Sequence, residues 1–479
     1  EIKIDTAPYT ITNNLRAFGI RVHYYGSSRA NPYSNETLSL FIKSDNNLKK
    51  VLHNYDVMNY GGEWDTDCFG EFVGSKSILT ISAEKTNEYF AQVPGQMEEF
   101  SETELIELGA TNTKIAYRGI FFNATTEVLY KINYSARLVS RVLAPLTSFP
   151  CNDTKLLTKA ASIIQWDKMF SVDQTFAITS SVSNSRITNS LAASQYLKDG
   201  IADYFRAVTK GKRPSVDINE PDIQFNLHIE ENVATISLDT SGKSLHKRGY
   251  RLVSGDAPMQ ETLAAALIRI SKWNGEKPLW DCMCGSGTIL SEALMHHCRI
   301  PAQILRENFG FFHLPDFDKS TWLKVKEECD SGMRPLQKGL IKGSDRSEKA
   351  ISIAKENLSH LPYSDSIELS VNSFQDVEKF ENGTVVTNPP YGIRLGNNAE
   401  AQKLFKELGD FLKQKCKGSS AFIYSGDPSL RKSIGLKTTR RIPLVNGKLK
   451  GVLFQIDSYD GSKKKYYQEF TEKELKNKN

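Results

Sequence analysis

The stretch TVVTNPPYGI, from Thr384 to Ile393, carries the residue types needed to grip a flat heterocycle bearing an amino group. Asn388 offers one amide oxygen and one amide nitrogen, and Tyr391 a flat ring with a polar tip. Pro389 and Pro390, between them, can neither donate to a strand ladder nor continue into a helix, so the backbone must turn stiffly. Val385 and Val386 read as the end of a buried strand. Ligands of open α/β sheets bind at the carboxyl ends of strands, which is where this corner falls.

A second chemistry-bearing stretch, DCMCGSGT, runs from Asp281 to Thr288 between a strand-like and a helix-like segment. Gly285 and Gly287 let the backbone turn tightly and approach a ligand, while Cys284, Ser286 and Thr288 lead into a helix whose first N–H groups face it. Ser291 stands where a dinucleotide fingerprint would place its third glycine, and the lysine of a phosphate-binding loop is missing. Both ligand classes are thereby disfavoured, and a smaller ligand with an amino-acid head and a ribose fits better. Asp345 ends the strand-like LIKGSD, where a carboxylate suits ribose hydroxyls and equally suits a helix cap. Cys282 and Cys284 have no second Cys/His pair at zinc spacing, so no metal is expected.

Several elements must position these loops. From Lys243 onward, long helical segments alternate with buried strands: APMQETLAAALIRISKW, PLWDCM, TILSEALMHHC, LIKGSDRS, EKAISIAKENLSHL, SIELSVNSF, TVVTNPP, AEAQKLFKELGDFLKQK and SSAFIYSG. That is a doubly wound α/β pattern, interrupted by the aromatic NFGFFHLPDFDKSTW. Before it, residues 86–242 read as mixed α+β. A helix ends near Gly109, KIAYRGIFFN is strand-like, and TEVLYKINYSARLVSRVLAPL reads as helical. QTFAITSSVS reads as a strand, SLAASQYLKDGIADYFRAV as a helix, and DIQFNLHIEENVATISLDTSG as two strands turning at Glu230-Glu231-Asn232. Residues 1–85 alternate short apolar runs with turn residues, as in an α+β or β module. There His23, Tyr24, Tyr25 and Arg29 are either a binding face or ordinary strand and turn residues. Residues 243–460 make the α/β domain and 461–479 a charged tail.

At 479 residues the chain is too long for one core, and two to four domains are expected. Its 39% hydrophobic and 24% charged residues are ordinary for a globular protein, and the net charge of +5 is compatible with nucleic acid. No apolar run approaches the roughly 18 to 20 residues of a membrane span. Seven scattered cysteines argue for a reducing compartment, and with no leader pattern a cytoplasmic location is expected.

In combination, DCMCGSGT, GSDRS, NPPYGIRL and the preceding RGYRLVSGDAPMQETLAAAL resemble the THUMP-containing guanine-N2 RNA methyltransferases, especially those acting on 23S rRNA. The similarity runs from about Tyr89 to Asp457. It implies an α/β fold in which a C-terminal Rossmann-like methyltransferase sheet follows an α+β module, ferredoxin-like plus THUMP; residues 1–85, which the similarity does not cover, would be a small extra N-terminal α+β or β domain. It also implies S-adenosylmethionine as cofactor and RNA as partner, 23S rRNA or else tRNA. N-P-P-Y by itself also serves adenine amines in DNA, and a non-catalytic RNA-binding assembly factor would keep the same fold.

The resemblance assigns Asn388, Pro389, Pro390 and Tyr391 to catalysis. The Asn388 side-chain oxygen and the Pro389 carbonyl would accept the amine hydrogens while Tyr391 stacks on the base. Asp281, Cys284, Gly285, Ser286, Gly287, Thr288 and Asp345 would hold the cofactor. Pro258, Glu261 and Thr262 match the motif at its methionine end, although a helix start explains them too. Ser373 falls where the family carries an acid for the adenine amine, with Asp376 three residues on. RNA contact is expected from Arg186, Asn189, Ser190 and Lys198 on the THUMP-like turn and from Lys210, Lys212 and Arg213 beyond it. Arg394 would meet phosphate or a salt-bridge partner.

Overall fold

The structure is a computed structural model and describes residues 2–12, 15–25, 33–44, 47–64, 70–76, 86–253, 259–391, 398–447 and 449–458. The chain divides into two compact units, Glu1–Lys85 and Thr86–Asn479. In the first, strands β1 (Ile2–Thr12), β2 (Leu15–Tyr25), β3 (Tyr33–Ser44), β4 (Asn47–Trp64) and β5 (Gly70–Lys76) pair in sequence order as an antiparallel meander. Of the two forms expected for this segment, its described residues take the β form. Ala17, Leu38 and Leu40 make its small core. His23 lies opposite Glu36 in the register, Nδ1 to Oε2 3.3 Å, so a carboxylate on the neighbouring strand accounts for it, while Arg29 lies outside the described residues.

The second unit holds two seven-stranded sheets. One is built from β6 (Asn87–Gln92), α1 (Glu98–Glu107), β7 (Thr111–Ala116), β8 (Gly119–Ala124), α2 (Thr126–Ser135), β9 (Arg141–Pro150), α3 (Thr154–Ala161), β10 (Phe176–Ser183), α4 (Ser190–Val208), β11 (Ile223–Glu230) and β12 (Val233–Asp239). Its strand order is β10-β11-β12-β9-β6-β8-β7. The hairpin between β11 and β12 turns on Glu231 and Asn232, both at positive φ, the backbone that a tight two-residue turn demands.

Two segments differ from the expectation from sequence. KIAYRGIFFN is a hairpin of two strands, with Arg118 at φ 53° in its turn. The helix beginning at Thr126 stops at Ser135, and its C-cap Ala136 is already extended. Residues 141–150 form a strand because they join the sheet's two halves, pairing with β6 on one side and β12 on the other. Pro145 is tolerated there because the register with β12 shifts between Ile236 and Ser237.

The other sheet belongs to the α/β half: α5 (Glu261–Ser271), β13 (Leu279–Asp281), α6 (Thr288–His297), α7 (Lys319–Ser331), β14 (Ile341–Asp345), α8 (Glu348–Leu358), β15 (Glu368–Val371), β16 (Thr384–Thr387), α9 (Asn398–Lys415), β17 (Ser420–Ser425), β18 (Arg440–Asn446) and β19 (Leu449–Asp457). The order is β15-β14-β13-β16-β17-β19-β18, parallel except for β19. From β13 the chain builds outward through β14 and β15, then returns to the other side of β13 with β16. That reversal makes a switch point, where the carboxyl ends diverge and leave a crevice.

The aromatic insertion joins the α/β half to α2. Phe311 stacks on Tyr130 at 4.4 Å between centroids, and Trp322 meets Tyr134 edge-on at 5.3 Å. Gly310 is required at this joint, since a Cβ there would fall 2.4 Å from the carbonyl oxygen of Asp239.

Candidate active site

Both sequence-singled loops leave the sheet at the switch point: DCMCGSGT after β13 and NPPY after β16. Within the first, Gly285 and Gly287 have φ of 53° and 81°. A Cβ on Gly285 would meet nothing within 4 Å, so the loop borders open space, while one on Gly287 would press on Ala354 of α8 at 3.2 Å. One glycine faces the crevice and the other permits helix packing. Cys282 and Cys284 belong to two different core clusters, and burial pushes both thiols well above their ordinary range.

Two carboxylates border the loop. Asp345, at the end of β14, accepts from the Gly285 N–H at 3.0 Å through one oxygen and from the Ser347 N–H at 3.0 Å through the other. Ser347, not Asp345, caps α8 with its side chain. A carboxylate has about four acceptor sites, so two remain. Asp281 is buried, and its Oδ1 accepts from the Thr387 hydroxyl at 2.8 Å and the Met283 N–H at 3.3 Å. Burial pushes its carboxyl up to about 7; the Thr387 hydrogen bond works against this and the nearby Asp345 adds to it.

Asn388 follows Thr387 directly, and its Oδ1 is buried without a hydrogen-bond partner among the described residues. A buried amide oxygen left unpaired is costly, and such an atom marks a place that a donor from outside would complete. Tyr391 departs from the sequence picture: its ring is only 4% exposed and sits in the core cluster with Trp280 and Phe405. A Cβ on Gly426 would fall 2.5 Å from its Cε2, so the ring lies over that glycine as part of the wall rather than as an open platform.

Glu261 and Thr262 occupy the first turn of α5, both buried. Burial raises the Glu261 carboxyl and Arg251 lowers it, with Arg251 Nη1 3.4 Å from Oε1. The same arginine donates from Nη2 to Thr288 Oγ1 at 2.9 Å and to the Met259 carbonyl at 2.6 Å, tying the glycine loop to the start of α5. Asn357 on α8, buried, fastens the loop from another side. Its Nδ2 donates to the carbonyls of Ser286 (3.1 Å) and Val253 (3.2 Å), and its Oδ1 accepts from the Leu252 and Val253 N–H groups. The sequence reading missed Arg251, Asn357 and Thr387. A signal for Asn357 existed, since an asparagine inside a helix spends local propensity and asks for a reason.

Ser373 precedes a short 3-10 turn after β15 without capping it, and its hydroxyl donates to the side chain of Gln375, which in turn donates to Glu407 at 2.9 Å; Asp376 is exposed. Pro258 and Arg394 lie outside the described residues. The basic residues do not form one patch. Arg186 is exposed at the amino end of α4, where Asn189 caps the helix by accepting from the Ala192 N–H. Lys210, Lys212 and Arg213 are exposed beyond its other end, about 28 Å away for 19 helical residues. Between them, Lys198 pairs with Asp199 at 2.8 Å.

Known proteins share this arrangement. Residues 248–455 match an RMKL-like methyltransferase domain, 151–239 a THUMP domain and 88–143 the RlmL ferredoxin-like domain. Over 375 residues, 78% of this chain and 97% of the relative, it is 36% identical to slr0064 of Synechocystis sp., which carries the name of an RNA methyltransferase. The chain belongs to this THUMP-containing, RMKL-like methyltransferase family. It is also 35% identical over 367 residues to the ribosomal RNA large subunit methyltransferase K/L of Aliivibrio salmonicida, covering 75% of this chain and 52% of that protein. The methyltransferase thus spans about half the length of the K/L relatives. Among solved structures, SMU.472, described as a methyltransferase and crystallised with SAH, superposes with a TM-score of 0.71 at 26% identity, over 79% of this chain and all of that one. The sheet around the switch point is that of an S-adenosylmethionine-dependent methyltransferase.

Proposed function

We propose that this chain transfers the methyl group of S-adenosylmethionine to the exocyclic N2 amine of a guanosine in large-subunit rRNA. The observation that carries the reading is the buried Oδ1 of Asn388, which has no hydrogen-bond partner among the described residues and lies one residue beyond the hydroxyl that bonds Asp281. The donor supplies an electrophilic methyl group on a sulfonium, so no covalent enzyme intermediate is needed and positioning does most of the work. A guanine amine is a poor nucleophile because its lone pair is delocalised into the ring. Asn388 Oδ1 and the Pro389 carbonyl each accept one amine hydrogen, which turns the nitrogen lone pair toward the methyl group.

The two free acceptor sites of Asp345 suit ribose hydroxyls, and Asp281, Glu261 and the loop Cys284–Thr288 enclose the amino-acid end. The THUMP domain and the names of the K/L relatives favour RNA, and within it rRNA. Mass-spectrometric comparison of modified nucleosides from cells with and without the protein tests this. N2-methylguanosine should fall in large-subunit rRNA; a fall confined to tRNA, or in N6-methyladenine, would reassign the substrate.

A further inference from the structure

A cavity of about 560 Å³ lies on the face of the first sheet of the second unit that α3 and α4 do not cover. Alternate residues of a strand point to opposite sides. On β11, Phe225, Leu227 and Ile229 enter the core, whereas Asn226, His228 and Glu230 line the cavity. His228 Nδ1 is 2.8 Å from Ser181 Oγ, and its Nε2 is 3.4 Å from Glu230 Oε2, which holds the ring upright on the sheet. At the other end an aromatic shelf is built into the fold. Phe90 and Phe121 lie 4.8 Å apart, only partly buried and outside every core cluster of the described residues. Gly119 is what lets the Phe90 ring lie down, since a Cβ there would fall 2.0 Å from Cζ. Beside them Tyr117 is 82% exposed.

We infer that this cavity takes unpaired bases of the RNA substrate next to the segment that enters the methyltransferase crevice; the inference rests on the RNA methyltransferase reading above. Three features select that occupant. The volume falls in the range of pockets that enclose a ligand of nucleotide size. The lining combines flat rings with hydrogen-bonding groups, which suits base faces and edges. Arg118 is the sole lysine or arginine lining it among the described residues, and burial, with Arg248 adding to it, holds the His246 imidazole down to about 4. A duplex would need many cations along its phosphates, whereas single strands bind by stacking. Continuity with the methyltransferase comes from Gln260 and Gly447, which close one side of the cavity. The Gly447 N–H donates to Gln260 Oε1 at 3.2 Å, and Gln260 immediately precedes the helix whose first turn carries Glu261 and Thr262. The cavity and the cofactor crevice therefore share the start of α5.

The test measures the full chain by fluorescence anisotropy against labelled single-stranded oligoadenylate and oligouridylate and against an RNA duplex, with calorimetry for S-adenosylmethionine in parallel. Tyr117→Ala, Phe90→Ala and Phe121→Ala should each weaken single-strand affinity roughly tenfold, the scale of one lost stacking partner. Tyr117→Phe, which keeps the exposed ring, should bind as the wild type does, and duplex and cofactor affinities should stay near wild type in every variant. Because Tyr117 is exposed, its variant folds even where a Phe90 variant does not. A 4-thiouridine oligonucleotide should cross-link to the peptides holding Phe90 and Tyr117. Unchanged single-strand affinity in Tyr117→Ala, or cross-links confined to other peptides, would overturn the inference. If the wild type still methylates RNA in that case, the site fails alone and the function stands.

Discussion

The Thr387 hydroxyl donates to Asp281 Oδ1 across 2.8 Å, joining the last residue of β16 to the last residue of β13. The bond couples the two loops of the site, since Asn388 follows one partner and the glycine loop follows the other. Thr387→Val should therefore act on both. A buried hydrogen bond to a charged acceptor contributes about 1.5–3 kcal/mol, so the variant should unfold earlier in urea by about that amount near pH 8. Near pH 5, where Asp281 is protonated, the difference should shrink. Thr387→Ser should recover most of the loss.

The raised carboxyl of Asp281 makes a signed pH prediction. Its folded value of about 7 lies above the ordinary 3.8, so its contribution to stability is fully present below that ordinary value and is lost as pH rises through about 7. Relative to Asp281→Asn, which does not titrate, the unliganded wild type should lose stability between about pH 4 and pH 7. A cationic ligand favours the ionised carboxylate. Affinity for S-adenosylmethionine should consequently rise with pH through this window, by at most about tenfold per pH unit for one linked proton. Calorimetry in buffers of different ionisation enthalpy checks it, and a flat profile would remove Asp281 from the binding step.

Asn357 serves four backbone groups with one buried amide. Asn357→Ala strands them, and each unsatisfied buried group costs about 1–3 kcal/mol, so melting should fall clearly and cofactor affinity should drop roughly tenfold as the glycine loop loosens. Asn357→Asp keeps the accepting oxygen but not the donors, and should fall between the two in calorimetry.

Much of the architecture was legible because it is local. The helix Ser190–Val208 and the hairpin turning on Glu231 and Asn232 carry their own caps and turn residues. Residues 141–150 misled because a strand that bridges two halves of a sheet is decided by partners distant in sequence, and apolar residues with helical spacing looked the same. The site divides the same way. The corner and the glycine loop stand out as short motifs, and the fold brings Asp281, Gly285 and Asp345 together at one edge of the crevice. Thr387 and Asn357 were hidden because their bonds span 106 residues of sequence for the first and 71 to 105 for the second. The lysines and arginines around α4 were expected on one turn and beyond it, and the length of the helix sets Arg186 and the group Lys210, Lys212 and Arg213 at opposite ends.

Tyr391 carries the sharpest change from the sequence reading. Its buried ring over Gly426 predicts that Tyr391→Ala costs about 3–5 kcal/mol by leaving a cavity, while Tyr391→Phe keeps the fold. Gly426→Ala is the cleaner probe. Its Cβ would displace the ring, so methyl transfer should fall while cofactor affinity holds. Thermal melting and a transfer assay on the same preparations separate the two effects.

The central claim is that Asn388 orients a guanine amine. Purified chain, labelled S-adenosylmethionine and unmodified large-subunit rRNA should yield N2-methylguanosine on nucleoside digestion. Asn388→Ala should lose turnover by on the order of a hundredfold, as expected for one preorganised polar partner of the reacting atom. Its melting temperature should equal or exceed that of the wild type, since the amide oxygen it removes is buried without a partner among the described residues. Its cofactor affinity should not change. Label in a different nucleoside, or full turnover by a well-folded Asn388→Ala, would contradict the account.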